Sequence, residues 1–229
     1  MPPKPKPATK TTTKSDETRE RILTAAIELF RRRGFEAATM REIAAGAGVA
    51  TGAAYYYFDS KDAIVLAFYQ HAARELEPLL DAALDGAKDL EGRVRALLEA
   101  KLKYFAPNRS LLGALAGHTD PAHPLSPFSP QTHEIRERDM KFFERALEDS
   151  RIRIAPDLQG VLPQILWMYQ MGLILFWIYD RSTGQKRTHA LVGQSVGVVA
   201  GLIKLSSFPL LRPVRLRVVK LLATVRGES

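Results

Sequence analysis

The stretch from Thr39 to Lys61, TMREIAAGAGVATGAAYYYFDSK, constrains the fold more than any other part of the chain. Thr39 and Glu42 stand three residues apart, the spacing at which a hydroxyl and a carboxylate satisfy each other's free backbone N–H groups at a helix start. The helix so opened carries Ile43, Ala44 and Ala47 and is closed by Gly48, where a left-handed turn would cost a residue with a side chain. Only Val49 and Ala50 separate it from a second short segment, Thr51 to Phe58. Ser60 then caps a long helix from Lys61 to about Leu84. Two short helices with so tight a turn between them, braced by longer ones, make a helix-turn-helix.

The flanking sequence is helical as well. Ile22, Leu23, Ala26, Ile27, Leu29 and Phe30 fall on one stripe that Gly34 ends, and Arg31, Arg32 and Arg33 complement the dipole of that helix's last turn. Further helices are expected near 90–105, 110–117, 131–149, 156–181, 188–206 and 212–226. Pro121, Pro124, Pro127 and Pro130 exclude regular structure between 118 and 130. No strand pattern appears, so the fold class is all-α. The expected organisation is a basic, disordered arm over 1–14, a helix-turn-helix domain over 15–62, and a helical domain over 63–229.

Charge placement sharpens this division. The net charge is +8, yet residues 15–61 balance seven basic against seven acidic side chains. The arm carries Lys4, Lys6, Lys10 and Lys14 with no acid, and is either a solvated tail or a segment that hugs DNA. With no cysteine, neither disulfides nor thiolate metal sites can hold the fold. No apolar stretch at the N-terminus suggests a secretory signal, and a cytoplasmic location is expected. Val161–Tyr179 is nearly long enough to span a bilayer, but it contains Pro163, Gln164 and Gln170 and has no second hydrophobic span beside it; a buried or interfacial helix is expected, and no membrane association. Nucleophile-elbow, phosphate-loop and HExxH motifs are absent, so neither enzymatic activity nor a cofactor is expected. His118, Asp120, His123 and His133 gather around the proline-rich loop, but their spacing matches no compact ligand set, and no metal is expected.

The run from Thr18 to about Ile64 resembles the N-terminal domain of the tetracycline-repressor (TetR) family. The resemblance is carried by Gly34-Phe35, Thr39 with Arg41-Glu42-Ile43-Ala44, Ala47-Gly48-Val49, Gly52, Tyr55-Tyr56-Tyr57-Phe58 and Ser60-Lys61, in the family's order and spacing. It implies a homodimeric transcriptional regulator that binds a palindromic double-stranded DNA operator, with a C-terminal domain that often takes a small-molecule effector and releases DNA. The reading is a repressor; an activator or an effector-independent regulator would share the same head. By the same resemblance Thr39, Tyr57 and Lys61 grip phosphates, Arg41, Thr51, Ala53 and Tyr56 meet base edges or nearby backbone, and Gly52 and Tyr55 belong to the DNA face. Small side chains at Gly52, Ala53 and Ala54 would let the recognition helix approach the major groove closely. Ala50 stands where the family often has a capping Ser, and Thr51 where Lys is frequent.

The C-terminal half is read from its residues. Gly193, Gly197 and Gly201 recur every four residues on one helix face, where glycine is costly unless another backbone comes close. Packing across a dimer interface and packing within one subunit both satisfy that pattern. Trp167, Met171 and Leu175 on the 156–181 helix join the glycines as the expected dimer face. Leu98, Leu102, Phe105, Leu115, Phe143, Trp167 and Gln170 are the candidate lining of a cavity for a small apolar or amphipathic ligand.

Overall fold

The computed structural model describes residues 13–226, which contain α-helices and short 3₁₀ turns but no strand among the described residues. The chain divides into two compact units, Met1–Phe68 and Tyr69–Ser229. Of the expected arm, residues 1–12 lie outside the described residues. Thr13 and Lys14 belong to the first helix instead: α1 spans Lys14–Arg33, and Thr13 caps it in a reciprocal box with Asp16.

The first unit holds α1, α2 (Met40–Gly46), α3 (Thr51–Tyr57) and the start of α4 (Lys61–Asp85). Ile22, Phe30, Ile43, Ala54, Phe58 and Ile64 are almost wholly buried and form its centre. Both short helices are set by local chemistry. The Thr39 hydroxyl accepts from the Glu42 N–H at 3.3 Å, while the Thr39 N–H donates to the Glu42 carboxylate at 3.0 Å. Gly48 sits at φ +64°, the left-handed conformation its position demands. Ser60 accepts from the Ala63 N–H at 3.1 Å and so caps α4.

The second unit holds the rest of α4 and α5 (Leu90–Phe105), α6 (Arg109–Leu115), α7 (His133–Asp149), α8 (Pro156–Gln159), α9 (Leu162–Tyr179), α10 (Lys186–Ser206) and α11 (Arg212–Arg226). Leu84, Leu97, Phe143, Leu166, Trp177 and Val196 anchor one continuous core. The helix expected over 156–181 is broken in two at Gly160-Val161. Pro163 gives the reason: it has no N–H to offer the carbonyl of Gln159, and its ring would strike that carbonyl, so it fits only in a helix's first turn.

The reading of the membrane question also changes. Residues Thr183–Ser206, like Leu162–Tyr179, are long and apolar enough to cross a membrane by length and composition. This second span is less conspicuous in the sequence because Lys186, Arg187, His189, Gln194 and Lys204 interrupt its apolar residues.

The proline-rich segment is irregular, as expected, yet tightly built. Leu125, Ser126, Ser129 and Thr132 are buried there. The hydroxyls of Ser126, Ser129 and Thr132 donate to the carbonyls of Thr119, Pro124 and Ser126 respectively, at 2.8–3.2 Å. Side-chain hydroxyls thus replace the ladder that the prolines cannot form.

Candidate functional site

The outward side of the helix-turn-helix separates its candidate residues by what each already bonds. Tyr56 is 83% exposed and Tyr55 51% exposed. Arg41 and Thr51 are also exposed, and neither side chain has a hydrogen-bonding partner among the described residues. Gly52 is exposed, with open space where a Cβ would lie, so nothing within the unit requires glycine there. Ala53 is half-buried and Ala54 fully buried, which places the apolar side of α3 inward and its Thr51–Tyr55–Tyr56 side outward.

The remaining candidates are already engaged. The Thr39 hydroxyl donates to the Glu42 carboxylate at 2.8 Å besides accepting from its N–H, so its capacity is spent on the cap. The Lys61 ammonium donates to the Phe35 carbonyl at 2.7 Å and the Glu36 carbonyl at 3.2 Å, and lies 4.6 Å from the centre of the Phe35 ring. Tyr57 is half-buried; its ring meets that of Tyr56 edge-on, and its hydroxyl accepts from Ser15 at 3.3 Å.

Two arginines outside the expected set position this face. The Arg21 guanidinium, on α1, donates to the Ala47 carbonyl at 2.8 Å and reaches Gly48, clamping the turn between α2 and α3. Arg33 pairs with Glu42, so this member of the arginine run does more than complement the dipole of its own helix. The only signal for Arg21 is its place opposite a glycine turn, which is a tertiary relation. Hydrogen bonds from Thr39, reinforced by Arg33, hold the Glu42 carboxyl below its ordinary range despite the desolvation that raises it.

The second unit encloses a cavity of about 400 Å³ bordered by α4, α5, α6, α7, α9 and the proline-rich segment. That volume is within the range of small-molecule sites. Four of the expected lining residues, Phe105, Leu115, Trp167 and Gln170, do border it. Leu98, Leu102 and Phe143 do not: they pack in the core, and Phe142, rotated one helical step from Phe143, takes its place in the wall. Phe128 closes over Trp167 edge-to-face, with ring centres 5.6 Å apart.

Within this apolar wall lies one polar knot that joins three helices. The ammonium of Lys101 (α5) donates to both Asp139 (α7) and Gln170 (α9), and the Gln170 amide donates back to Asp139 at 2.6 Å. Burial pulls the Lys101 ammonium below the ordinary lysine range, and its pairing with Asp139 works against that pull. Gln170 is legible as a candidate in the sequence; Lys101 and Asp139 are not, because an isolated Lys or Asp on a helix is usually a solvated residue.

The expected interface residues divide, Leu175 and Gly201 being exposed. Trp167, Met171 and Leu175 border the cavity of their own protomer, and Trp167 is buried there. A Cβ on Gly193 would meet Arg95 at 3.5 Å and one on Gly197 would meet Glu91 at 3.4 Å, both on α5 of the same chain. Both are ordinary van der Waals distances, so packing against α5 does not require glycine at either position. Gly201 faces open space. Of the four residues weighed as a metal set, His118 and His123 come together, their rings stacked with centres 3.9 Å apart, while His133 faces Glu137.

Comparison with known proteins fits both units. Residues 22–68 match the family described as bacterial regulatory proteins, tetR family, and residues 93–220 match the tetracyclin repressor-like C-terminal domain. The chain is 40% identical over 96 residues to the HTH-type transcriptional regulator SrpR of Pseudomonas putida, a stretch covering 41% of this chain and 44% of that protein, so it spans less than half of that relative's length. It is also 40% identical over 96 residues to the regulator TtgW of Pseudomonas putida, covering 41% of this chain and 69% of that one. Its fold is similar to that of the transcriptional regulator FadR from Bacillus subtilis in complex with stearoyl-CoA, with a TM-score of 0.62 at 16% identity over 79% of this chain and 97% of that chain. With one family model on the helix-turn-helix and a second across more than half of the chain, the protein belongs to the TetR family of DNA-binding transcriptional regulators.

Proposed function

We propose that the chain is a homodimeric repressor of a palindromic operator, acting in the cytoplasm and released from DNA by a small ligand held in the cavity of its second unit. The observation that carries the DNA reading is the outward side of α3: exposed Thr51, Tyr55 and Tyr56, with Arg41 beside them on α2, are polar or aromatic and bond to little or nothing within the protein. Exposed, uncompensated groups on a helix-turn-helix suit contact with phosphates and base edges. Thr39 and Lys61 act chiefly by fixing that face: the Thr39 O–H is committed to Glu42, and a phosphate contact by Lys61 would use its remaining N–H.

The dimer reading rests on exposed apolar side chains on adjacent helices. Met168, Phe176 and Tyr179 on α9, and Val198, Leu202 and Leu205 on α10, are each 40–64% exposed. Stripes of this kind cost solvation energy until another surface covers them, and a two-fold partner covers both at once. These outer faces include the expected Leu175, 49% exposed, and the exposed Gly201, and leave out the buried Trp167 and the α5-facing Gly193 and Gly197. A ligand would release DNA by binding more tightly to a form whose two heads no longer match half-sites one DNA turn apart, about 34–36 Å.

The test is a salt-titrated binding assay with DNA from upstream of the protein's own coding region and a scrambled duplex, alongside sedimentation of the free protein. Binding that depends on a palindrome, by a dimer, is the expected result. Equal affinity for both duplexes would reduce the interaction to basic-protein electrostatics and refute the operator reading. Deleting residues 1–12, which spares the Thr13 cap, should weaken binding and flatten the salt slope. An unchanged slope would remove the lysine arm from the mechanism.

A further inference from the structure

We infer that the cavity takes an apolar chain that ends in an anionic group, a carboxylate or its equivalent, in preference to an uncharged or cationic molecule of the same length. The inference rests on the ligand-responsive reading above and adds the chemical class of the ligand.

Three observations lead to it. The wall is apolar over most of its extent, with Leu76, Leu80, Phe105, Leu112, Phe142 and Ile174 among its residues, which suits a chain of methylenes. The charges that border it do not cancel. Asp139 is the one acidic residue in the wall, and it is already bonded by Lys101 and Gln170. Against it stand Lys101, Arg136 and Arg138. Arg136 donates to the Pro127 carbonyl at 2.7 Å and lies over the Trp167 ring, but a carbonyl neutralises no charge. Arg138 is exposed and has no side-chain partner among the described residues. Two guanidiniums thus border the cavity without a counter-charge.

The third observation is His118. Its ring is stacked against His123, and its Nε2 is buried in the cavity wall with no hydrogen-bond partner among the described residues. Buried polar atoms are almost always paired, so an orphan on a cavity wall points to a group that arrives with the ligand. A carboxylate offers acceptors to His118 and to the arginines alike. A hydroxyl would satisfy the histidine but leave the guanidiniums uncompensated, and an ammonium would be repelled by them.

The same chemistry could come from a free fatty acid or from an acyl chain on a phosphorylated carrier. The experiment titrates the full-length protein with decanoate, decanol, decylamine and decanoyl-CoA by calorimetry, with tryptophan emission from Trp167 and Trp177 as a second readout, and measures operator release separately. Decanoate should bind about tenfold tighter than decanol, the factor expected for one hydrogen bond to a charged group, and decylamine most weakly. Each added methylene should tighten binding about fourfold until the cavity is full. Arg138→Gln and His118→Phe should each narrow the decanoate-over-decanol ratio toward one. Tighter binding of decanoyl-CoA than of decanoate would support the anionic end and assign it to the carrier. Equal or tighter binding of decanol or decylamine, a ratio unmoved in both variants, or no binding by any probe would overturn the inference. Decanol or decylamine displacing the operator would sink the anionic class while leaving ligand release intact. Decanoate binding as expected, without operator release, would sink the regulatory reading alone.

Discussion

The two units use their polar groups in opposite directions. In the head, the residues that fit DNA contact, Arg41, Thr51 and Tyr56, point outward and bond to little within the protein, while a separate set, Arg21, Glu42 and Lys61, holds the frame. In the second unit, the groups that face the cavity also belong to the core: Lys101, Asp139 and Gln170 border the space and tie three helices together. On the proposed reading, recognition and frame fall to different side chains in the head, whereas in the body the polar knot that borders the cavity also ties its helices together. Variants should separate the two properties in the first region and fail to do so in the second.

The largest effect tests the body. Lys101→Met should cost about 3 kcal/mol of stability, because it leaves Asp139 largely buried without its cation, with side chains 4% and 21% exposed for Lys101 and Asp139 in the native pair. Adding Asp139→Leu should restore much of that loss, since an apolar pair of similar volume avoids desolvating either charge. Denaturant midpoints of the two variants would show it. A single variant as stable as the parent would mean that the knot is solvated and that the body, too, keeps its recognition groups apart from its frame.

The head offers the opposite result at smaller scale. Arg41→Ala or Tyr56→Ala should leave stability within about 0.5 kcal/mol, as for exposed surface residues. Each should weaken operator binding by about 1–2 kcal/mol, roughly tenfold. Arg21→Ala should instead lose about 1–2 kcal/mol of stability, because the Ala47 carbonyl loses its charged donor and the turn its clamp. Thermal melts beside operator titrations separate the pair. If Arg41→Ala melts early, or Arg21→Ala only binds poorly, the division of labour in the head does not hold.

How much the sequence discloses follows the same line. The capping box, the Gly48 turn, the Ser60 cap and the buried face of α1 depend on residues a few positions apart, and all were legible. The outward place of Tyr56, 83% exposed, was legible only through the family resemblance, since three consecutive tyrosines require no more than that one of them face outward. In the second unit the helical pattern was readable but its consequences were not. The break before Pro163 is a local signal that apolar continuity outweighed. Choosing Phe143 over Phe142 for the cavity wall is an error of one helical step, which only the packing of α5, α7 and α9 decides. The glycines of α10 suggest a close backbone neighbour, yet Glu91 and Arg95 of α5 leave ordinary contact distance for a Cβ at Gly197 and Gly193, and Gly201 is open. Lys101 and Asp139 gave no signal at all, since each looks like a surface charge until three helices meet.

The smallest expected effect concerns acid, and it too should set the head apart. Glu42 and Asp16 both have carboxyl groups held below the ordinary range, chiefly by hydrogen bonds from Thr39 and Thr13. A carboxyl with a lowered folded pKa stabilises the fold fully above its unfolded value, about 4, and that contribution is lost as pH falls through the folded value. Thr39→Ala should therefore destabilise α2 near neutral pH, and the deficit relative to the parent should shrink as pH falls below about 4 toward the lowered folded value of Glu42, where the parent's own box comes apart. Amide hydrogen exchange at Ile43 and Ala44 reads this locally in the full-length protein, both residues being buried in α2. Their protection should converge between parent and variant in acid, while amides around Leu97 and Val196 in the body show no difference at either pH. A deficit that stays constant from pH 7 to pH 3 would mean that the Thr39 hydroxyl caps α2 without help from the Glu42 carboxylate, and that α2 is held chiefly by the burial of Ile43 and Ala44.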